Sequence, residues 1–227
     1  MLYLIIILVV IFLSYKLIDR HAHDIEINRK TLGYKNIENE FTILHLSDLH
    51  FSFNKKYQEK LVNMVNKLDY DLLVLTGDYL NGEEYYINLE QFLKRIENND
   101  NVYAVLGNND QKIKKELIDL FKNNNIKLLN NKSKHLIINN NNLNIIGVDT
   151  PDMDKDKYKK AIEDINLDKD FNLLLSHTYH ITEKETLNNI DLLLVGDTHG
   201  GQINLPILNK IAEKRFELKY KAGIYNL

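Results

Sequence analysis

Apolar and polar residues divide the chain into a greasy start and a patterned body. Residues 1 to 13 are all apolar, from Met1 to Leu13, and the first charge is Lys16. Wound as a helix with Lys16 snorkelling, residues 1–18 would rise about 27 Å, close to the ~30 Å of bilayer hydrocarbon. A cleaved signal peptide calls for a basic leader and a small-residue cleavage site, and neither accompanies this run. A buried core element is the other bland alternative. The expectation is an uncleaved N-terminal membrane anchor, a hydrophobic helix over residues 1–20, followed by one catalytic-sized domain over 21–227. Lys16, Arg20, Arg29 and Lys30 follow the run together with Asp19, Asp24 and Glu26, so charge bias leaves the side of the membrane open.

Beyond the anchor, short apolar runs alternate with helical spacing, the pattern of a layered α/β fold. The runs are Phe41–Leu46, Leu72–Leu75, Val102–Leu106, Leu143–Val148, Phe171–Leu175 and Asp191–Val195. Between them Leu61, Val65 and Leu68 share one helical face, as do Ile113, Leu117, Leu120 and Phe121, opposite charged positions. His135–Ile138 and Leu143–Val148 flank the polar run Asn139–Asn142 and predict a hairpin.

Composition narrows the chemistry. The chain has 227 residues and a formal net charge of −3, which gives no reason to expect nucleic acid as a structural partner. It has no cysteine, which excludes disulfides, thiolate-ligated metals and a thiol nucleophile. Any metal site must use nitrogen and oxygen ligands. The asparagine runs at 123–125 and 139–142 carry no chemical role in this reading.

Candidate ligands cluster just after the apolar runs, where loops of an α/β sheet converge on ligands. They are Ser47-Asp48-Leu49-His50, Thr76-Gly77-Asp78, Gly107-Asn108-Asn109-Asp110, Ser176-His177 and Gly196-Asp197-Thr198-His199-Gly200-Gly201. Each alone is ordinary turn chemistry. Five at successive strand ends predict one shared metal site.

In order and spacing these motifs, across residues 41–205, resemble the calcineurin-like metallophosphoesterase superfamily, whose pattern is Asp-x-His, Gly-Asp, Gly-Asn-His-Asp, a lone His and Gly-His-x-His. The stretch Gly-Asp-Thr-His-Gly-Gly-Gln-Ile at 196–203 looks like the often membrane-associated bacterial branch. The resemblance implies two stacked mixed β-sheets flanked by helices. It implies two divalent cations, one held by Asp48, His50 and His199 and the other by Asn108, His177 and Asp197, with Asp78 bridging. Paired cations ~3.5–4 Å apart need a shared carboxylate, and a hydroxide bridging them attacks phosphorus without a nucleophilic side chain.

The catalytic candidates are Asp78, Asn108 and Asn109. Position 109 is Asn where the family pattern has His, and Asn can donate a hydrogen bond but cannot supply a proton. Relatives lacking that His often favour phosphodiesters, so a diester or pyrophosphate is the expected substrate. Position 197 is Asp where the pattern has His, which shifts preference toward Mn²⁺ or Mg²⁺ over Zn²⁺, with Fe also admissible. Resemblance to enzymes cleaving lipid pyrophosphates, such as UDP-diacylglucosamine hydrolases, makes a lipid-linked substrate attractive for a tethered enzyme. The alternative is a weak or inactive scaffold of the same family that binds a partner.

Other residues carry less. His45 lies inside an apolar strand and reads as a core histidine; His180 reads as a solvent-exposed loop residue. His21, His23 and His135 have no motif around them, whereas Tyr79 and Asn81 either touch substrate or serve the turn. Phe216–Tyr220 and Gly223–Tyr225 resemble the start of the closing strand pair of the family, implying a shortened C-terminus.

Overall fold

Leu72–Leu75 has no polar position because both of its faces are covered. In the computed structural model, which describes residues 25–97, 100–149, 155–198, 220 and 223–226, this run is the inner strand β2 of a four-stranded sheet. Strand β1 (Ile43–Leu46) pairs with it on one side, and β3 (Val102–Ala104) on the other, with β4 (Lys127–Leu128) beyond. All three pairings are parallel. Helix α1 (Lys55–Val65) and helix α2 (Tyr86–Lys94) make the first two crossovers, and α3 (Lys114–Asn123) the third. A chain that returns through a helix after each strand can only build parallel pairs.

The second sheet is mixed. Strands β5 (Lys132–Ile138) and β6 (Asn141–Val148) form the expected antiparallel hairpin, after which β7 (Phe171–Ser176) and β8 (Leu192–Leu194) add in parallel. The two-sheet, helix-flanked expectation therefore holds, with the refinement that the first sheet is purely parallel. Helix α4 (Lys155–Ile162) and the single turn α5 (Ile181–Lys184) belong to this half.

Alternation along the strands assigns the layers. Leu72, Val74, Tyr103 and Val105 of the first sheet meet Leu143, Ile145, Phe171, Leu173 and Leu175 of the second, forming a buried inter-sheet core. The opposite face of the first sheet, with Leu73, Leu75, Val102 and Ala104, packs on Leu61, Val65, Leu89, Phe92, Leu117 and Phe121 of its helices. Ile146, Val148 and Leu174 turn outward onto Tyr158, Ala161 and Ile181. The order is helices, sheet, sheet, helices.

Local chemistry trims several boundaries. Asn54 caps α1 by accepting the Tyr57 N–H at 3.1 Å. The helix stops at Val65, so Leu68 packs from the turn that follows rather than from the same helical face. Ile113 likewise closes a short 3-10 segment, Asn109–Ile113, ahead of α3. The polar hairpin turn is only Asn139 and Asn140, both with positive φ (49° and 67°), as a type I′ turn demands. Asn141 and Asn142 belong to β6, and Asn141 Oδ1 accepts the backbone N–H groups of Glu38 and Asn39.

No helix among the described residues is long and apolar enough to cross a membrane. The expected anchor over 1–20 lies outside the described residues, as do His21, His23 and Phe216–Lys219 of the expected strand Phe216–Tyr220. Gly223–Tyr225, expected as strand, is a bend and irregular chain among the described residues, with Tyr225 meeting Tyr220 edge-on at 5.0 Å between ring centroids.

Candidate metal centre

Parallel strands end at the same edge, and the loops after β1, β2, β3, β7 and β8 meet there. His50 Nε2 stands 3.9 Å from Asp48 Oδ1 and 3.8 Å from Asp78 Oδ2. One ligand atom from each of these three residues falls within 4.8 Å of the others. On the other side of Asp78, His177 Nε2 lies 3.4 Å from Asp78 Oδ1 and 3.6 Å from Asp197 Oδ1. Asp78 thus belongs to two ligand groups, one drawn from the first sheet and one reaching into the second.

The backbone is bent to serve this site. Among the described residues nine non-glycine positions have positive φ, and five of them are Asn, which tolerates the left-handed region. The other four are Asp48 (51°), His50 (42°), Asp78 (57°) and Asp197 (69°). Strain of this kind, of order 1–3 kcal/mol per residue, persists where surrounding contacts over-determine the conformation. Close approach explains two glycines: a Cβ on Gly107 would stand 2.1 Å from Asp78 Oδ1, and one on Gly196 would stand 2.3 Å from Asp48 Oδ2. The Asp197 N–H donates to both Asp48 oxygens, at 3.2 and 3.0 Å, which locks the β8 loop onto the β1 loop.

His177 is fully buried and aims its second ring nitrogen into the cage. Its Nδ1 donates to the Thr76 carbonyl at 2.7 Å, which fixes the tautomer and leaves Nε2 to the site. Nε2 is buried without a hydrogen-bond partner. In the absence of a cation, burial opposes protonation of this ring, but the Asp78 carboxylate, with Asp48 behind it, pushes its pKa up to about 9. Burial likewise works against ionisation of Asp78, yet His177 and the two Asn109 donors outweigh it and hold Asp78 below the usual carboxylate range. Asp197 is raised by burial, with His177 pulling the other way. Three carboxylates, two imidazoles and an orphaned buried nitrogen form a donor set that suits hard or borderline divalent cations.

Asn108 and Asn109 sit exposed at the mouth. Asn109 donates twice to Asp78, from its N–H to Oδ1 at 3.0 Å and from Nδ2 to Oδ2 at 2.5 Å. His199, the remaining expected ligand, lies outside the described residues. Tyr79 does not face substrate: it is buried, donates its hydroxyl to Val105 O at 2.6 Å and stacks edge-on against Phe121. Asn81 continues the turn, its N–H bonded to Phe51 O at 3.1 Å. His45, expected in the core, is half-buried on β1 and bonded to Thr76 Oγ1 at 2.7 Å, and His180 is exposed beside Glu183. His135 stands 3.6 Å from Asp170, away from the motif loops.

Asp110 belongs to the Gly107–Asp110 motif but has no role assigned from the sequence, and the fold supplies one. It is buried and accepts three backbone N–H groups, from Gly107 and Asp78 at 2.8 Å and from Tyr79 at 3.0 Å, tying the β3 loop to the β2 loop. Burial is what raises its pKa, to about 6, against those three bonds. The available signal was its place directly after Gly107-Asn108-Asn109, where an acceptor for loop amides is needed.

Residues 41–201 match the family model described as calcineurin-like phosphoesterase. The chain belongs to that family. It is similar to the uncharacterized metallophosphoesterase YkoQ of Bacillus subtilis, 29% identical over 83% of this chain and 73% of that one. It is also similar to the uncharacterized protein YpbG of the same organism, 30% identical over 71% of this chain and 62% of that one. Among solved structures, NAD nucleotidase (NadN) of Haemophilus influenzae superposes with a TM-score of 0.50 at 18% identity, covering 70% of this chain and 43% of that one, a likeness of fold. The family uses divalent metals and acts on phosphoesters, and Asp48, His50 and Asp78 form a candidate metal site in this member.

Proposed function

We propose that the protein hydrolyses a phosphodiester or pyrophosphate with two divalent cations, Mn²⁺ by preference, bound between its two sheets. The observation that carries this reading is Asp78, whose two oxygens face separate ligand groups, with the buried Nε2 of His177 3.4 Å away. Asp48, His50 and His199 would hold one cation, and Asn108, His177 and Asp197 the other, with Asp78 shared. When bound, the cations supply Lewis acidity toward the phosphoryl oxygens and an acidified water. The chain does the rest: Thr76 fixes the His177 tautomer, Asp110 pins the Asp78 backbone, and the Asp197 N–H orients Asp48. Asn109 offers a hydrogen bond to the substrate and no proton, so turnover favours esters with good leaving groups.

The apolar run of residues 1–13 supports a further reading, a membrane tether that confines the enzyme to the surface bearing a lipid-linked phosphate. The Gly-Asp-Thr-His-Gly-Gly-Gln stretch at 196–202, similar to the membrane-associated bacterial branch, points the same way.

The test uses the full chain in detergent, stripped of metal and reloaded with Mn²⁺. Hydrolysis of an activated aryl diester is compared with that of the matching monoester and of a lipid pyrophosphate, with Asp78→Asn alongside. Diester or pyrophosphate turnover abolished by the substitution supports the reading. Faster monoester turnover would overturn the role given to Asn109, and metal binding without any turnover would favour the partner-binding scaffold.

A further inference from the structure

Asp149 is a buried carboxylate outside the ligand set. It follows β6 directly, and the Val148–Ser176 register sets it beside His177 at the edge of the second sheet. Both of its oxygens reach across to the first half of the fold. Oδ1 accepts from Gln111 Nε2 at 3.0 Å, and Oδ2 takes a charge-assisted bond from Lys114 Nζ at the start of α3. Its own N–H donates to Asn131 Oδ1 at 2.9 Å, which holds the backbone in place. Gln111 Nε2 also donates to Gly107 O at 3.3 Å, and the Gly107 N–H donates to Asp110, the acceptor of the Asp78 N–H. An unbroken hydrogen-bonded path therefore runs from the end of β6 to the backbone of Asp78.

This path solves a mechanical problem. The ligands come from two sheets that touch through apolar side chains, and an apolar face specifies spacing less sharply than directional bonds do. Other polar contacts cross the rim: Asp78 with His177, Asp48 with the Asp197 N–H, and the Thr76 carbonyl with His177 Nδ1; each involves a ligand residue, and the first two join ligand to ligand and must adjust when cations enter. Asp149, Lys114 and Gln111 are not ligands, so their bonds persist with the cage empty or full. The segment they hold, Gly107 to Ile113, contains Asn108 and Asn109 and is a loop with a short 3-10 turn, with little regular structure to stiffen it.

We propose that Asp149 is a positioning residue: paired with Lys114, it grips Gln111 and sets the Gly107–Asp110 loop at the separation from His177 that a cation pair requires. The proposal rests on the metal-dependent reading of the same site.

The experiment compares Asp149→Asn, Lys114→Met and Lys114→Arg with the parent full chain and with Phe171→Leu, a core change at the far end of β7 that controls for lost stability. Mn²⁺ binding is followed by calorimetry and aryl diester hydrolysis by steady-state kinetics. Asp149→Asn and Lys114→Met are expected to weaken the second Mn²⁺ and lower kcat by about 10-fold or more, the range for residues behind metal ligands, with KM nearly unchanged. Lys114→Arg keeps the charge and should restore both. Second-site affinity and kcat in Asp149→Asn equal to those of Phe171→Leu would overturn the proposal. If the parent binds Mn²⁺ but cleaves no ester, the hydrolase reading falls, while the affinity comparison still decides the role of Asp149.

Discussion

His177 offers a quantitative handle on the cage, because the nitrogen that would meet a cation holds a proton first. With the cage empty its pKa is about 9, against 6.5 for a free imidazole. At pH 7.5 the ring is then largely protonated, so cation binding at Nε2 releases close to one proton per chain. Displacing that proton at pH 7.5 costs about 2 kcal/mol, a roughly 30-fold reduction of apparent affinity relative to pH above 9. The sign for stability follows from the raised folded pKa. Protonated His177 stabilises the cation-free protein fully below pH 6.5, and that contribution, at most about 3 kcal/mol, is lost as pH rises through 9. Calorimetric Mn²⁺ titrations at pH 7.5 in buffers of different ionisation enthalpy read the proton count directly. The expected slope is near one proton, with affinity rising almost tenfold per pH unit between 7 and 8.5; His177→Gln should abolish the release. A slope near zero with pH-independent affinity would refute the placement of His177 Nε2 against a cation.

Further outcomes follow from the same geometry. Asn109→His returns a titratable ring to the mouth and should raise monoester turnover relative to diester turnover by about 10-fold or more in parallel kinetic assays. Gly107→Ala places a methyl 2.1 Å from Asp78 Oδ1, so Mn²⁺ binding and hydrolysis should both be lost, as calorimetry and the diester assay would show. His45, whose pKa burial lowers to about 4, must stay neutral in the fold; below pH 6.5 protons bind the unfolded chain preferentially, so stability falls as pH drops from 6.5 to 4. In metal-free urea melts, His45→Gln should flatten that acid limb by about 1–3 kcal/mol.

Much of this molecule is legible in the chain because its strands are short and buried on both faces. Leu72–Leu75 and Leu173–Leu175 read as unbroken apolar runs since each lies between a second sheet and a helix layer. Asp48, His50, Asp78 and His177 were visible for a related reason, since polar residues directly after such runs have nowhere to go but the rim. What the pattern hides is non-local. The two-residue strand β4, Lys127–Leu128, has no periodicity to detect, and nothing in the linear order says that β4 closes one sheet while β5 opens another. The end of α1 at Val65 was blurred because Leu68 is also half-buried, but from a turn. Tyr79 looked available to substrate from its place beside Asp78, and only the fold shows its ring turned inward onto Phe121. Asp110, Asp149 and Lys114 support the site through partners 31 to 35 residues away, a relation no single-sequence spacing records.

Electron paramagnetic resonance of the Mn²⁺-loaded full chain tests most directly whether two cations share Asp78. Two equivalents of Mn²⁺ should give the exchange-coupled spectrum of a pair ~3.5–4 Å apart, and Asp78→Asn should remove the coupling. A spectrum of isolated Mn²⁺ ions at every loading, unchanged by Asp78→Asn, would contradict that sharing.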